Sequence, residues 1–357
     1  MPAHAAERRA RSALARLARG EMDNDTFRYE AAAILQRAIG FDWWCWVLVD
    51  PAVCLPTRAI HVNAIPGQDP RRYFRLIGEA WNGQVAAGTR RGQHPVRVVS
   101  ATTGDDLRRG RLWEEMLRPC GTGDALTAPL VADETCWAQL HLGRDSSGHR
   151  FTSDEAALIA AVAPLLATRL RDGLRAVSQP SDPCPEPGTI VVDRELSVVA
   201  ATGQAWRWLD RLGPRQPADA GPLPGFLYAI ATRVAGTDPP RTIRVRLQAA
   251  DGHWLVVQVA PLTSGPGTAA ISGGYAITLE SARSDDLAPL LMRAWALSPR
   301  EREVARLAID GLSTEDIAIA LFISPHTVRD HLKAIFDKVG IHRRSEMVAA
   351  LAGTSVP

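Results

Sequence analysis

The densest run of chemistry-bearing side chains lies between Ser324 and Lys333, where Ser324, His326, Thr327, Arg329, Asp330, His331 and Lys333 fall within ten residues. Arg and Lys donate, an ionised Asp only accepts, and Ser, Thr and His do either. At helical spacing this set suits a phosphate backbone and base edges: Arg329 or Lys333 can donate to guanine O6 and N7, and Asp330 can accept from cytosine N4. A pair with Lys333, three residues on, is the competing use of Asp330. A charge run of this kind also occurs as a plain solvated helical face. The surrounding elements decide between the two.

Composition removes other chemistries. Among the 41 Lys and Arg residues of this 357-residue chain, Lys333 and Lys338 are the only lysines. There is thus no P-loop lysine, kinase lysine or Schiff-base lysine before position 333, and no receiver-domain lysine. Cys45, Cys54, Cys120, Cys136 and Cys184 are scattered, without a C-x-x-C pair, as expected of reduced thiols. Neither G-x-S-x-G, H-E-x-x-H, G-x-G-x-x-G after a strand nor a deaminase signature is present. We expect no enzyme, no metal and no cofactor; a sensor with an undetected activity is the alternative. The apolar run 156–167 is too short to span a bilayer and contains Pro164. A cytoplasmic protein is expected, its arginine-rich start forming a surface helix that ends near Gly20.

The chemistry-bearing run is bracketed by helix signals. Ser298, Pro299 and Glu301 form an N-cap, an N1 proline and a capping-box glutamate, and Gly311 stops that helix. Ser313 with Asp316 opens a second, about 314–321, Ser324-Pro325 a third, about 325–339, ended by Gly340, and Ser345 caps a fourth. The second and third, joined by Phe322-Ile-Ser324, predict a helix-turn-helix. At 100° per residue Val328, Leu332, Ile335 and Val339 fall within about 60° of one another, predicting a buried stripe, while His326, Arg329, Asp330, Lys333, Ala334 and Asp337 face away. Three arginines against five carboxylates leave residues 300–316 at net −2, whereas residues 322–344 carry +3. The positive charge thus sits where a phosphate backbone would be met.

Upstream, the chain divides in two. A helix over about 25–39, an aromatic strand at 41–49, paired strands at 124–131 and 135–142 and a helix over 153–171 capped by Thr152 or Ser153 predict an α+β domain over 1–175. Four prolines (Pro180, Pro183, Pro185, Pro187) mark a linker over 176–188. Strands at 189–201, a short helix over 203–212, a hairpin around Asp251-Gly252 and a last strand at 275–280 predict a smaller α+β domain over 189–283. Residues 284–357 read as all-α. The predicted fold class is therefore multidomain: two α+β domains and a four-helix C-terminal domain.

Leu297-Ser-Pro-Arg-Glu301, Gly311-Leu-Ser313, Ile317-Ala318, Ile323-Ser324, Thr327-Val328, His331, Ile335, Lys338 and Gly340 resemble the LuxR-type (GerE-like) DNA-binding domain over about 293–355. That resemblance implies double-stranded DNA as partner. It places Arg329, Asp330 and Lys333 toward bases and Ser324, Thr327 and His331 near phosphates, with Arg343 and Arg344 as further DNA contacts. Glu301, Gly311, Val328 and Ile335 become the scaffold and the fourth helix a dimerisation helix. A homodimer, RNA polymerase as partner and transcription regulation follow as expectations. An RNA-binding antiterminator is the rival class, but the polar face lacks the aromatic platforms such binding uses. Phe41-Asp-Trp, Asp50-Pro51, Leu117-Arg-Pro-Cys-Gly121 and Phe151-Thr152 resemble a GAF domain of the kind found in actinobacterial regulators, and the excess of arginine over lysine suits a high-GC genome. The Asp193 turn, the 206–209 helix and Gly252-His-Trp254 resemble a PAS domain. Trp43, Trp46 and Trp137, with Trp44, Tyr73, Trp81 and Trp113 also in the first domain, are candidates to line an effector pocket, or to be core. Cys45 and Cys136 are the candidate redox or chromophore sites.

Overall fold

The computed structural model describes residues 2–63, 71, 96–102, 113–175, 186–213, 221–263 and 273–352. Tyr73, Trp81, Cys184 and most of the proline-rich linker lie outside the described residues. The aromatic run forms β1 (Trp43–Asp50), which pairs on one side with β2 (Leu55–Val62) and on the other with β5 (Thr135–Asp145). Further out come β4 (Thr122–Ala132) and the short β3 (Arg97–Val98), so the sheet runs β2-β1-β5-β4-β3, antiparallel throughout. Asp133 and Glu134 close the β4–β5 hairpin at φ 47° and 56°, left-handed values that a tight two-residue turn demands.

One face of this sheet is covered by α1 (Pro2–Leu17), α2 (Asn24–Ile39) and α3 (Ser153–Gly173). Asp23 caps α2, and Thr152 with Glu155 makes the capping box of α3. The N-terminal helix is more than a surface helix: Ala10 and Leu14, four residues apart, are buried, and Leu14 is fully so. Its arginines hid an apolar stripe.

The second unit repeats the strand order of the first. β6 (Gly188–Val192), β7 (Val198–Ala201), β8 (Ile243–Gln248), β9 (Trp254–Pro261) and β10 (Tyr275–Ser281) form an antiparallel sheet ordered β7-β6-β10-β9-β8. Helices α4 (Gly203–Arg211) and α5 (Gly225–Ala235) accompany it. The sequence pattern did not predict α5, because Leu227, Tyr228, Ala229, Ile230 and Ala231 are buried in succession and leave no amphipathic period. Nor did it predict β2.

The two units share a core. On β9, Leu255, Val257 and Val259 fill the second unit, while Trp254 and Val256 point into the hydrophobic cluster of the first. Asp50, at the end of β1, accepts from the Arg246 backbone N–H (2.9 Å) and guanidinium (2.9 and 3.2 Å) on β8. A further helix, α6 (Ser284–Ala294), joins them to the C-terminal region. Its Leu287, Leu290, Leu291 and Ala294 pack into the first unit's cluster; Ala288 and Met292 pack into the C-terminal one. The sequence reading passed over α6 as an element because Pro289 interrupts it.

Candidate nucleic-acid interface

Each helix of the C-terminal unit starts at a local signal. Ser298 and Glu301 form a capping box on α7 (Pro299–Ile309), and Ser313 and Asp316 form one on α8 (Thr314–Leu321). Ser324 caps α9 (Pro325–Val339), accepting from the Thr327 N–H at 3.1 Å, and its hydroxyl lies 2.9 Å from that of Thr327. Gly340 ends α9 at φ 75° and Gly311 follows α7 at φ 90°; a Cβ at either would be strained. The last helix, α10 (Arg344–Ala352), corrects one expectation. Ser345 lies inside it, and the Glu346 carboxylate takes the N–H groups of His342 (2.9 Å) and Arg343 (3.2 Å) instead.

The predicted division of α9 holds except at Ala334, which is half-buried. Val328, Leu332, Ile335 and Val339 are buried, whereas His326, Arg329, Asp330, Lys333 and Asp337 are exposed. His331 is half-buried beside them. The Asp330 carboxylate turns to His326 rather than Lys333, lying 3.4 Å from His326 Nδ1, one turn back. Arg329 lies 3.9 Å from Glu315 on α8, both side chains 65% exposed, a weak tie. Next to this face stands Phe322, 95% exposed and left-handed at φ 55° where it ends α8. Sequence reasoning missed it; a bulky residue at a helix C-cap, where glycine is favoured, was the available signal.

Three basic residues belong to the scaffold. Lys338 Nζ meets Glu301 Oε2 at 2.6 Å and the Ala296 carbonyl at 3.3 Å, clamping α9 to the start of α7. Burial alone would raise the Glu301 carboxyl, but the bonds from Lys338 and from the Ser298 N–H (2.6 Å) together hold it below its ordinary value. Arg344, expected at DNA, donates to the Ala308 (2.8 Å) and Leu312 carbonyls near the C-terminus of α7. Carbonyls at a helix C-terminus carry a partial negative charge that favours a guanidinium, so Arg344 is a tie between α10 and α7. Arg343 keeps an 81% exposed side chain. Arg300 ties α7 to α8 through the Leu321 carbonyl at 2.6 Å. Met347 and Leu351 of α10, the helix expected to pair with a second copy, are buried in the chain's own core with Ala288 and Met292.

The three candidate effector tryptophans do not converge. Trp46 is fully buried among the helices, its ring edge-on to Phe27 at 6.3 Å. Trp137 lies in the same cluster, donating to the Ala132 carbonyl at 3.4 Å. Trp43 is on the other side of the sheet, over Gly143, where an added Cβ would fall 1.8 Å from its ring. Alternation along β1 requires this split, since positions 43 and 46 differ by an odd number. Burial pushes the Cys45 and Cys136 thiols up to about 12, so both are protonated at neutral pH.

On the Trp43 side, His61, Cys45 and His141 stand opposite one another across β2, β1 and β5. His141 is 6% exposed, and burial, with a smaller contribution from His61, lowers its pKa to about 3. The unfolded chain takes up that proton near the ordinary 6.5, so stability is complete above pH 6.5 and is lost as pH falls toward 3. At about 1.4 kcal/mol per unit, the loss is roughly 2 kcal/mol by pH 5. Urea unfolding at pH 7.5 and 5 should show His141→Gln to be less acid-sensitive than the parent chain. Equal losses would mean the folded protein protonates this ring. Among the described residues no group of three or more His, Cys, Asp or Glu is arranged to hold a metal, and no helix is long and apolar enough to cross a membrane.

Residues 296–351 match the family described as bacterial regulatory proteins, luxR family, and residues 23–170 match the GAF domain. An HTH-type transcriptional regulator of Mycobacterium tuberculosis is 44% identical over 66 residues, a span covering 18% of this chain and 8% of that protein. The regulator GfsR of Streptomyces halstedii is 33% identical over 111 residues, covering 29% and 44%. The spore germination protein GerE of Bacillus subtilis is 44% identical over 55 residues, 15% of this chain and 74% of GerE. The matched span is thus under a tenth of the mycobacterial protein's length but most of GerE. Through its C-terminal helices this chain belongs to the luxR family of bacterial regulatory proteins, with a GAF domain as its first unit.

Proposed function

We propose that this protein is a sequence-specific, DNA-binding transcriptional regulator, acting as a homodimer with RNA polymerase as its downstream partner and by binding rather than catalysis. The observation that carries the reading is α9, whose buried stripe is anchored while His326, Arg329, Asp330 and Lys333 face outward together. A helix held in this way fits the major groove. Ser324, Thr327, His331 and Arg343 are assigned to the phosphates. The first unit and the middle unit, which we take as PAS-like from its sheet order, sense an effector and gate this reader. The gating element is α6, because its two faces belong to two different cores. An effector acts by binding one arrangement of α6 more tightly than the other.

Selection of binding sites from random duplex tests the reading. Lys333→Ala and Arg329→Ala should each relax preference at one position per half-site, by about 1–3 kcal/mol for a lost bidentate contact. Thr327→Ala should weaken all sequences alike. Unchanged motifs for both basic variants would move the reading face elsewhere.

A further inference from the structure

A cavity of about 390 Å³ opens where the first sheet, the β8–β9 hairpin and α6 meet. We propose that it binds a neutral, largely apolar small molecule with one or two hydrogen-bonding groups. Its volume falls within the roughly 300–1,000 Å³ of small-molecule sites, which favour junctions between domains. Its apolar wall comes from all three parts of the chain: Leu48, Trp137, Leu170 and Leu174 from the first unit, Trp254 from the second, and Leu290 from α6. Trp137 is therefore the one candidate effector tryptophan that borders it.

The charges in the lining fix the ligand's class, because with Arg28 behind them they balance as a set, Asp23, Asp25 and Asp50 against Arg28, Arg58 and Arg246. Asp23 accepts from the N–H groups of Asp25 and Thr26 (both 2.9 Å) at the start of α2, which neutralises that helix end. Asp25 is held between Arg58 (2.5 Å) and the fully buried Arg28. Asp50 is held by Arg246. A charged ligand would lose hydration here and find no net counter-charge in return. Thr57 and Gln248, also in the lining, supply uncharged hydrogen-bonding groups.

Because Leu290 lies on the same helix as Met292, which enters the C-terminal core, a molecule in the cavity touches the proposed gate directly. That regulatory consequence rests on the gating reading above; the site itself does not.

Two fluorescent probes of the same ring system test the site on the full-length protein: neutral N-phenyl-1-naphthylamine and its sulfonated anion, 1-anilinonaphthalene-8-sulfonate. The neutral probe should bind once per chain, and the anion about tenfold more weakly or worse. Leu174→Trp and Ala250→Trp, which fill the cavity from the first and the second unit, should each weaken the neutral probe about tenfold. Neither position is fully buried, and melting curves identify any variant that fails to fold. The anion binding as tightly as the neutral probe, or folded variants of both kinds binding it unchanged, would overturn the proposal. Affinity for selected DNA, measured with and without the neutral probe, is a separate readout. Binding in the cavity with unchanged DNA affinity upholds the site and defeats the gating reading instead.

Discussion

Trp46→Ala should cost about 3–5 kcal/mol, the usual range for deleting a large aromatic side chain from a packed core. The ring is fully buried, Phe27 meets it edge-on, and Arg28, itself buried, donates to the Trp46 carbonyl at 3.1 Å. Removing it opens a void between β1 and α2 that neighbouring helices can close only in part. Trp46→Phe should be much milder than the lost area suggests. Among the described residues the buried Trp46 Nε1–H has no hydrogen-bond partner, and phenylalanine removes that polar group while keeping an aromatic ring. Trp43→Ala, on the opposite and partly exposed side of the sheet, should fall below Trp46→Ala. Urea unfolding of the three variants decides the matter. A loss under about 1 kcal/mol for Trp46→Ala would place that ring outside the core. A screen scoring only loss of effector response would misread Trp46→Ala as a pocket variant, so stability has to be measured beside it.

Glu301→Ala should remove about 2–4 kcal/mol from the C-terminal unit and abolish DNA binding at temperatures where the parent chain is folded. Three interactions go at once: the capping-box bond to the Ser298 N–H, the 2.6 Å pair with Lys338, and the charge that favours the start of α7. Breaking a fully buried pair costs about 3–5 kcal/mol, and the loss here is smaller because the Lys338 side chain is 39% exposed. A double-mutant cycle with Lys338→Met isolates the pair. Coupling of about 1 kcal/mol or more is expected, and additive losses would show that Lys338 is merely adjacent. DNA affinity of Lys338→Met, measured where it remains folded, should stay near that of the parent, in contrast to Lys333→Ala. An equal loss for both lysines would mean that Lys338 also faces the duplex.

Local chemistry determined a great deal by itself. The caps Ser298, Ser313 and Ser324, the stops Gly311 and Gly340, and the 3.6-residue repeat of Val328, Leu332, Ile335 and Val339 act over one or two turns. A single sequence therefore contains everything needed to place α7 to α9 and to say which side of α9 looks outward. Period-two patterns and the Asp251-Gly252 turn likewise specified most strands. Partner choice between side chains far apart in sequence is another matter. Nothing local distinguishes Arg344, which ties α10 to α7, from Arg343, which stays in solvent, or Lys338 from Lys333. Each charge goes to whichever carboxylate or helix end the packing brings near it. Trp43, Trp46 and Trp137 show the same division, since aromatic content is a property of composition whereas the side of the sheet a ring occupies follows from strand register. The packing of α6 into two cores and the cavity against it were decided wholly by tertiary structure. Both exist only because the second face of β9 and the end of β1, through Trp254 and Asp50, join separate units, and buried area is shared between segments some two hundred residues apart.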